Sequence, residues 1–522
     1  MLYFDKRSAN TPISKWSALL NPNGGEPVEG DFPRLGEVAI PREKTLVEEL
    51  FSFDGPPDAT VSVGGQEYYY FSGEGYLGLQ ANPEVLAATC EAVLRYGTSL
   101  GTIRRRFTPA PVFQVERQTA EIYGTDQAFY TNDETSAAER LLESIADSFE
   151  AVFVDELVSD SLEAAIERVL APTGSKPIRF RHRDIDHLKE LLDKKLSAGA
   201  RPLVVTDGVF NVTGAIAPIP DYYALLAEYD DSALLIDDSD AFGVLGEKGR
   251  GTLEYFDYDL RQVNRTRLDG DGDPLFGIDY CASDAAGFAQ AGRSPSDFCA
   301  PDERQNLPDD IFGDEEQNPE TDLFSDEPDI PDENENEPSE DTSASDDFIF
   351  LEPERKNKPR LKSLPVRTYC VASLSRAVGG FGAVIPGSER FIDRLKNASN
   401  VGLTGLLPPT PLAAATYTGL QLSFHHDMIR HRLWNNVYYF KTELEKLGIA
   451  TEPNMVPIIS IQTGTDGNMR RLQREMINGQ ILVSFLQRMN AHRREGSLRV
   501  ALFATHERAM LDLFLETLRQ AL

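Results

Sequence analysis

Between residues 151 and 236 short apolar runs alternate with amphipathic stretches, and no other feature restricts the fold as much. The runs are Ala151–Val154, Pro202–Thr206 and Ala233–Ile236. Ser161–Leu170, Asp184–Leu196 and Pro220–Tyr229 carry their apolar residues at helical spacing. A strand that is apolar at every position needs cover on both faces. Helices of this length are the crossovers that join parallel strands. The rhythm predicts an α/β fold built on a mostly parallel sheet.

The same logic extends to both sides. Glu84–Tyr96 and Phe113–Tyr123 read as helices, and Gly124 can end the second. Beyond residue 367, Arg367–Leu374, Val456–Gln462, Ile481–Phe485 and Leu498–Leu502 read as strands. Leu412–Leu422, Trp434–Leu447, Met469–Ile477 and His506–Leu522 read as helices. Five regions result: an N-terminal arm (1–66), a large domain (67–257 and 367–407), an insertion (258–366) and a small C-terminal α/β domain (408–522). The arm is rich in Pro, Gly and charge, with one helix-like patch at Lys44–Phe53.

The insertion also accounts for the net charge of −33. Residues 301–350 hold 20 Asp and Glu against one basic residue, Arg304. Low hydrophobicity, many Pro, Asp, Glu, Asn and Ser, and no periodicity predict disorder over Ser283–Asp347. Asp269, Asp271 and Asp273 mimic the start of a calcium loop. Pro274 and Tyr280 stand where such a loop needs glycine and glutamate, so a solvated turn is expected.

So acidic a chain is a poor partner for nucleic acid or an anionic membrane. Cys90, Cys281, Cys299 and Cys370 have no CxxC spacing and no paired histidines, which predicts reduced thiols rather than a zinc site or disulfide scaffold. There is no signal-like apolar segment at the start and no apolar run of bilayer length, so the expected location is the cytoplasm.

Several short segments, in order, resemble one family. Tyr76-Leu77-Gly78-Leu79 is similar to N-Y-L-G-L, and residues 179–184 (RFRHRD) to F-x-H-N-D. Residues 207–214 (DGVFNVTG) resemble E-G-V-F-S-M-D-G. Residues 243–251 (GVLGEKGRG) resemble G-V-x-G-x-x-G-R-G, and Pro408-Pro409 a P-P turn. Together they resemble the α-oxoamine synthases, which include 8-amino-7-oxononanoate synthase, 2-amino-3-ketobutyrate CoA ligase and serine palmitoyltransferase. The resemblance spans residues 68–257 and 367–522. It implies a pyridoxal-phosphate (PLP) transferase of fold type I, with a seven-stranded sheet, PLP as cofactor and a dimer whose sites lie at the subunit interface.

What the resemblance implies for each site position differs from what stands there. Arg376, in residues 372–382 (ASLSRAVGGFG), occupies the place of the cofactor-bonding lysine. A guanidinium stays protonated and cannot form that bond; its expected role is to neutralise an anion or one of the neighbouring carboxylates, Asp237, Asp240 or Glu134. Asp237 takes the place of the aspartate that pairs with the pyridine nitrogen; a carboxylate closing a strand end is the other reading. Asp240 and Ser159 stand where two histidines are expected, one near the ring and one stacked on it. Residues 131–136 (TNDETS) replace a glycine-rich phosphate turn with two carboxylates. Ser373 matches a phosphate-binding position or serves as a local cap. Arg499 matches a substrate-carboxylate arginine or lies on a strand surface. Lys356, Lys358 and Lys362, at the exit of the acidic insertion, are the lysines weighed as stand-ins, with nothing to fix their geometry.

Three readings follow. In the first, the chain is a non-catalytic subunit pairing with itself or with an active α-oxoamine synthase. One subunit of eukaryotic serine palmitoyltransferase is such a lysine-less member, and it too resembles residues 239–242 (SDAF) and 212–220 (VTGAIAPIP). In the second, it is a PLP-dependent acyltransferase condensing an amino acid with an acyl-CoA or acyl-carrier thioester. In the third, its acidic segment, residues 302–347, holds a basic partner or metal ions.

Overall fold

The computed structural model describes residues 52–98, 108–197, 199–263, 362–398, 407–486 and 496–522. The acidic stretch 283–347, the Asp269–Asp273 turn, Cys281, Cys299, Lys356, Lys358 and residues 44–51 lie outside them.

A hairpin comes first, β1 (Thr60–Val63) and β2 (Gln66–Tyr70), paired antiparallel. Its two-residue turn is Gly64-Gly65 with φ of 58° and 78°, which only glycine adopts without cost. Among the described residues, regular structure therefore begins at Thr60, inside the stretch read as an arm. The large sheet takes β3 (Gln127–Thr131), β4 (Ala151–Asp155), β5 (Ile178–Phe180), β6 (Pro202–Asp207) and β7 (Ala233–Asp237). A small parallel pair, β8 (Tyr258–Val263) and β9 (Lys362–Leu364), flanks the insertion. β10 (Arg367–Ser373) and β11 (Ala383–Gly387) complete the large sheet, whose order is β3-β11-β10-β7-β6-β4-β5. Only β11 runs antiparallel to its neighbours.

The predicted two-sided cover is present. Phe153, Val204, Leu234, Ile236, Cys370 and Val384 pack on one face, against helices Ala110–Tyr123 and Ile219–Leu226. Val152, Val154, Leu203, Val205, Leu235 and Val371 pack on the other, against helices Glu134–Ile145 and Asp160–Leu170. Successive residues of each strand alternate between these two cores, as a pleated strand requires.

The C-terminal unit is an antiparallel sheet of β12 (Ile458–Ile461), β14 (Ser484–Leu486) and β15 (Ser497–Ala501), order β12-β15-β14. Helices Asp427–Lys446, Asp466–Asn478 and Arg508–Ala521 go with it, whereas Thr410–His425 packs on Pro83–Tyr96 and Ala110–Tyr123. The strand expected over 481–485 is in fact two. β13 (Ile481–Leu482) pairs with β2, and β14 pairs with β15, the switch falling at Val483. The edge of the N-terminal hairpin claims the first half, a demand made by residues four hundred positions away.

Gly214 shows how tightly the two units meet. Its φ is +70°, and a β-carbon there would strike the Ile458 carbonyl oxygen of β12. Gly174 has a similar φ of +72° but nothing within 4 Å. Gly214→Ala should cost at least about 2 kcal/mol in urea denaturation, from left-handed strain plus the clash. Gly174→Ala should cost only the strain, about 1 kcal/mol.

Candidate functional site

Parallel sheets bring the C-terminal ends of their strands to one edge, and side chains there face a crevice. β6 ends in Asp207, β7 in Asp237, and β10 runs on to Ser373. Asp207 and Asp237 are register partners, so their carboxyls lie side by side on one face. The loop after β7 supplies Asp238, Ser239 and Asp240, and the loop after β10 supplies Arg376.

Arg376 is buried, 5% exposed, and each of its three nitrogens donates to a carboxylate. Nη1 donates to Asp240. Nε donates to Glu134 Oε1 at 3.1 Å, and Nη2 to Glu134 Oε2 at 2.6 Å. Glu74 stands 3.4 Å from Nε. Tyr76 adds its hydroxyl to Asp240 Oδ1 at 2.5 Å. Burial alone would lower the guanidinium's pKa, but Asp240, Glu74 and Glu134 outweigh it and hold it above its ordinary value. Of the carboxylates foreseen as partners, Asp240 and Glu134 are bonded and Asp237 is not. Glu74 was missed, because nothing local in the segment 72–80 marks it as a site residue.

The other expected positions resolve toward local roles. Ser373 Oγ contacts Ser375 Oγ at 2.9 Å and accepts from Ser375 N at 3.2 Å, a cap of its own turn. Ser159 Oγ caps the helix Asp160–Leu170, and Ser159 N donates to Asp207 Oδ2 at 2.9 Å. Arg499 Nε donates to Asn211 O at 2.7 Å, Nη1 to Gly73 O at 2.9 Å and Nη2 to Tyr76 Oη at 3.2 Å. It fastens β15 to two loops. Asp133 caps the helix Glu134–Ile145, accepting from Ser136 N at 2.8 Å and Ser136 Oγ at 2.7 Å.

Charge in the crevice is unbalanced. Burial, then the charge of Glu134, pushes Asp237 up to about 6. Burial, then Asp237 and Asp240, raises Asp207 well above the carboxylate range. Burial lifts Asp238 to about 7 against the pull of Thr252, whose backbone N–H it accepts at 3.0 Å.

One lysine is buried among the described residues, Lys441. Its Nζ donates to Glu452 O, Asn454 O and Asn454 Oδ1 at 3.1, 2.8 and 2.9 Å. It lines a separate cavity of about 330 Å³ with Thr213, Glu452 and Ser460. No helix of the described residues is long and apolar enough to cross a membrane.

Residues 73–255 and 346–518 match the family described as Aminotransferase class I and II, more than half of the 522 residues. This chain belongs to that family. Its curated relatives include 8-amino-7-oxononanoate synthase 1 of Bacillus subtilis (strain 168), 23% identical over 478 residues, covering 91% of this chain and 92% of that protein. The 8-amino-7-oxononanoate synthase of Geobacter sulfurreducens is 33% identical over 223 residues, 42% of this chain and 56% of that protein. Among solved structures, Sphingomonas wittichii serine palmitoyltransferase matches with a TM-score of 0.64 at 17% identity, covering 99% and 98% of the two chains. The 8-amino-7-oxononanoate synthase of Francisella tularensis matches at 0.56 and 17%, covering 87% and 97%. These names fit the α-oxoamine synthases, and the structures share the fold.

Membership in this aminotransferase family implies PLP as cofactor. The residues at its attachment points do not fit it. Arg376, read from the sequence as standing in the lysine's place, is already bonded to its neighbours. Asp133 caps the helix that follows β3, and Glu134 sits in its first turn, where a phosphate would need open N–H groups and no negative charge.

The raised Asp237 makes stability pH-dependent. Its folded pKa exceeds the unfolded one, so the folded state holds the extra proton and stability falls as pH rises from about 4 to about 6. The rise from 3.8 to about 6 corresponds to a loss on the order of 3 kcal/mol. Asp237→Asn should remove that share of the pH dependence, measured as the difference between urea denaturations of variant and wild type across this range.

Proposed function

We propose that this chain is a non-catalytic protomer of the α-oxoamine synthase type, pairing with itself or with an active relative. The pairing of Arg376 supports the reading most directly. Its guanidinium is held by Asp240, Glu134 and Glu74 and offers no nucleophile where the lysine would act. Removing it would leave three carboxylates facing one another, so the arginine also holds these segments together. Titration of the purified protein with PLP should give no visible absorbance band and no adduct after borohydride reduction. A trapped PLP–lysine adduct on any peptide of this chain would overturn the reading.

The curated relatives favour a second reading, a PLP-dependent acyltransferase condensing an amino acid with an acyl-CoA or acyl-carrier thioester. Alignment over nine tenths of the chain with 8-amino-7-oxononanoate synthases supports it, as does the buried Asp237 at its strand end. Arg376→Lys tests it. Restored PLP binding, seen as a borohydride-trapped adduct at residue 376, is expected if the crevice still fits the cofactor. No adduct in that variant would retire the enzyme reading.

A further inference from the structure

Two aspartates in the crevice are bonded to no cation, although the charge of Arg376 reaches both. Arg376 spends its donors on Glu134, Asp240 and Glu74, and Arg499 spends its own on Asn211 O, Gly73 O and Tyr76. Among the described residues no ion pair reaches Asp207 or Asp237, which sit side by side at the ends of β6 and β7. Asp207 is 2% exposed; Oδ2 accepts from Ser159 N, while Oδ1 is buried with no hydrogen-bond partner. Asp237 Oδ1 accepts from Ser239 N at 3.0 Å. The neighbouring Asp238 differs, for its oxygens are taken by Thr252 N and Oγ1. A buried carboxylate oxygen left without a donor costs about 1–3 kcal/mol, more when charged.

We propose that the carboxyl pair Asp207/Asp237 is a binding site for a small primary ammonium compound. An ammonium has three donors on one centre and needs only two or three acceptors. A divalent metal ion needs six or more oxygens, and among the described residues no group of three or more Asp, Glu, His or Cys is arranged to hold one. Five carboxylates (Asp207, Asp237, Asp240, Glu134, Glu74) face two guanidinium groups here, so the local field favours a cation. The network meets solvent at Glu74, whose side chain is 42% exposed. Burial raises the pKa of both aspartates, so protons compete with the ammonium for the pair. Binding therefore releases protons.

The site rests on the crevice holding no covalent PLP, as proposed above. Isothermal titration of the full-length chain with methylammonium and benzylammonium chloride, at matched ionic strength against sodium chloride, tests it. Saturable binding is expected, with proton release seen as a dependence on buffer ionisation enthalpy. Asp207→Asn should weaken it at least about tenfold, equivalent to about 1.4 kcal/mol. Asp207→Asn should also melt no lower than wild type, since it removes a buried like charge; Asp237→Asn is the second variant should the first fail to fold. No saturable heat with either ammonium, or equal binding by both variants and wild type, would overturn the site. A PLP–lysine adduct would instead overturn the reading of a silent protomer, so the two failures are distinguishable.

Discussion

Arg376 joins four parts of the chain that are remote in sequence: the loop at Glu74, the first turn of the helix Glu134–Ile145, the loop after β7 at Asp240, and its own turn after β10. Each of these segments approaches the same point because the parallel sheet delivers strand ends to one edge. Burying a guanidinium costs several kcal/mol, and the cost is offset only if its charge and donors are matched. Here three carboxylates match it, and Tyr76 and Arg499 extend the network to β15. One wall of the crevice is thus tied together by its own side chains.

The same network explains what happens to the rest of the crevice. Once the carboxylates nearest Arg376 are paired with it, Asp207 and Asp237 are left to manage their charge by taking protons, and their pKa values rise. Asp133 and Ser159 turn inward to cap helices, Ser373 caps its own turn, and Arg499 ties loops to the small unit. Each of these residues has a partner in the folded chain that accounts for its presence. Lys441 shows that a buried lysine alone signals little, since three oxygens already hold its ammonium.

Membership in the aminotransferase class I and II family and the relatives named 8-amino-7-oxononanoate synthase describe the scaffold, whereas the bonds around Arg376 describe how the side chains of this crevice are arranged. Fold and chemistry separate readily because the sheet is held by apolar alternation, which tolerates exchanges at the strand ends. Strand-end residues such as Asp207, Asp237 and Ser373 contribute little to either hydrophobic core, so they can change without loss of the scaffold.

Much of this was legible in the sequence. Apolar runs with two-sided burial announced β4, β6, β7 and β10, because a strand buried on both faces leaves an unbroken apolar signature. Arg376, with Asp237, Asp240 and Glu134 as its candidate partners, also came from sequence, and two of the three are bonded to it. Shorter or mixed elements left no such mark: β1, β2, β3, β5, β8, β9 and β11 went unseen, and the 481–485 strand was taken as one. Tertiary structure alone decided which side chains meet. Glu74 joined the site, Asp237 stayed apart from Arg376, and Asp207 Oδ1 was left without a partner. Those outcomes depend on distances between segments hundreds of residues apart. Local pattern carries periodicity and burial, while pairing of charges is settled only once the sheet has set their positions.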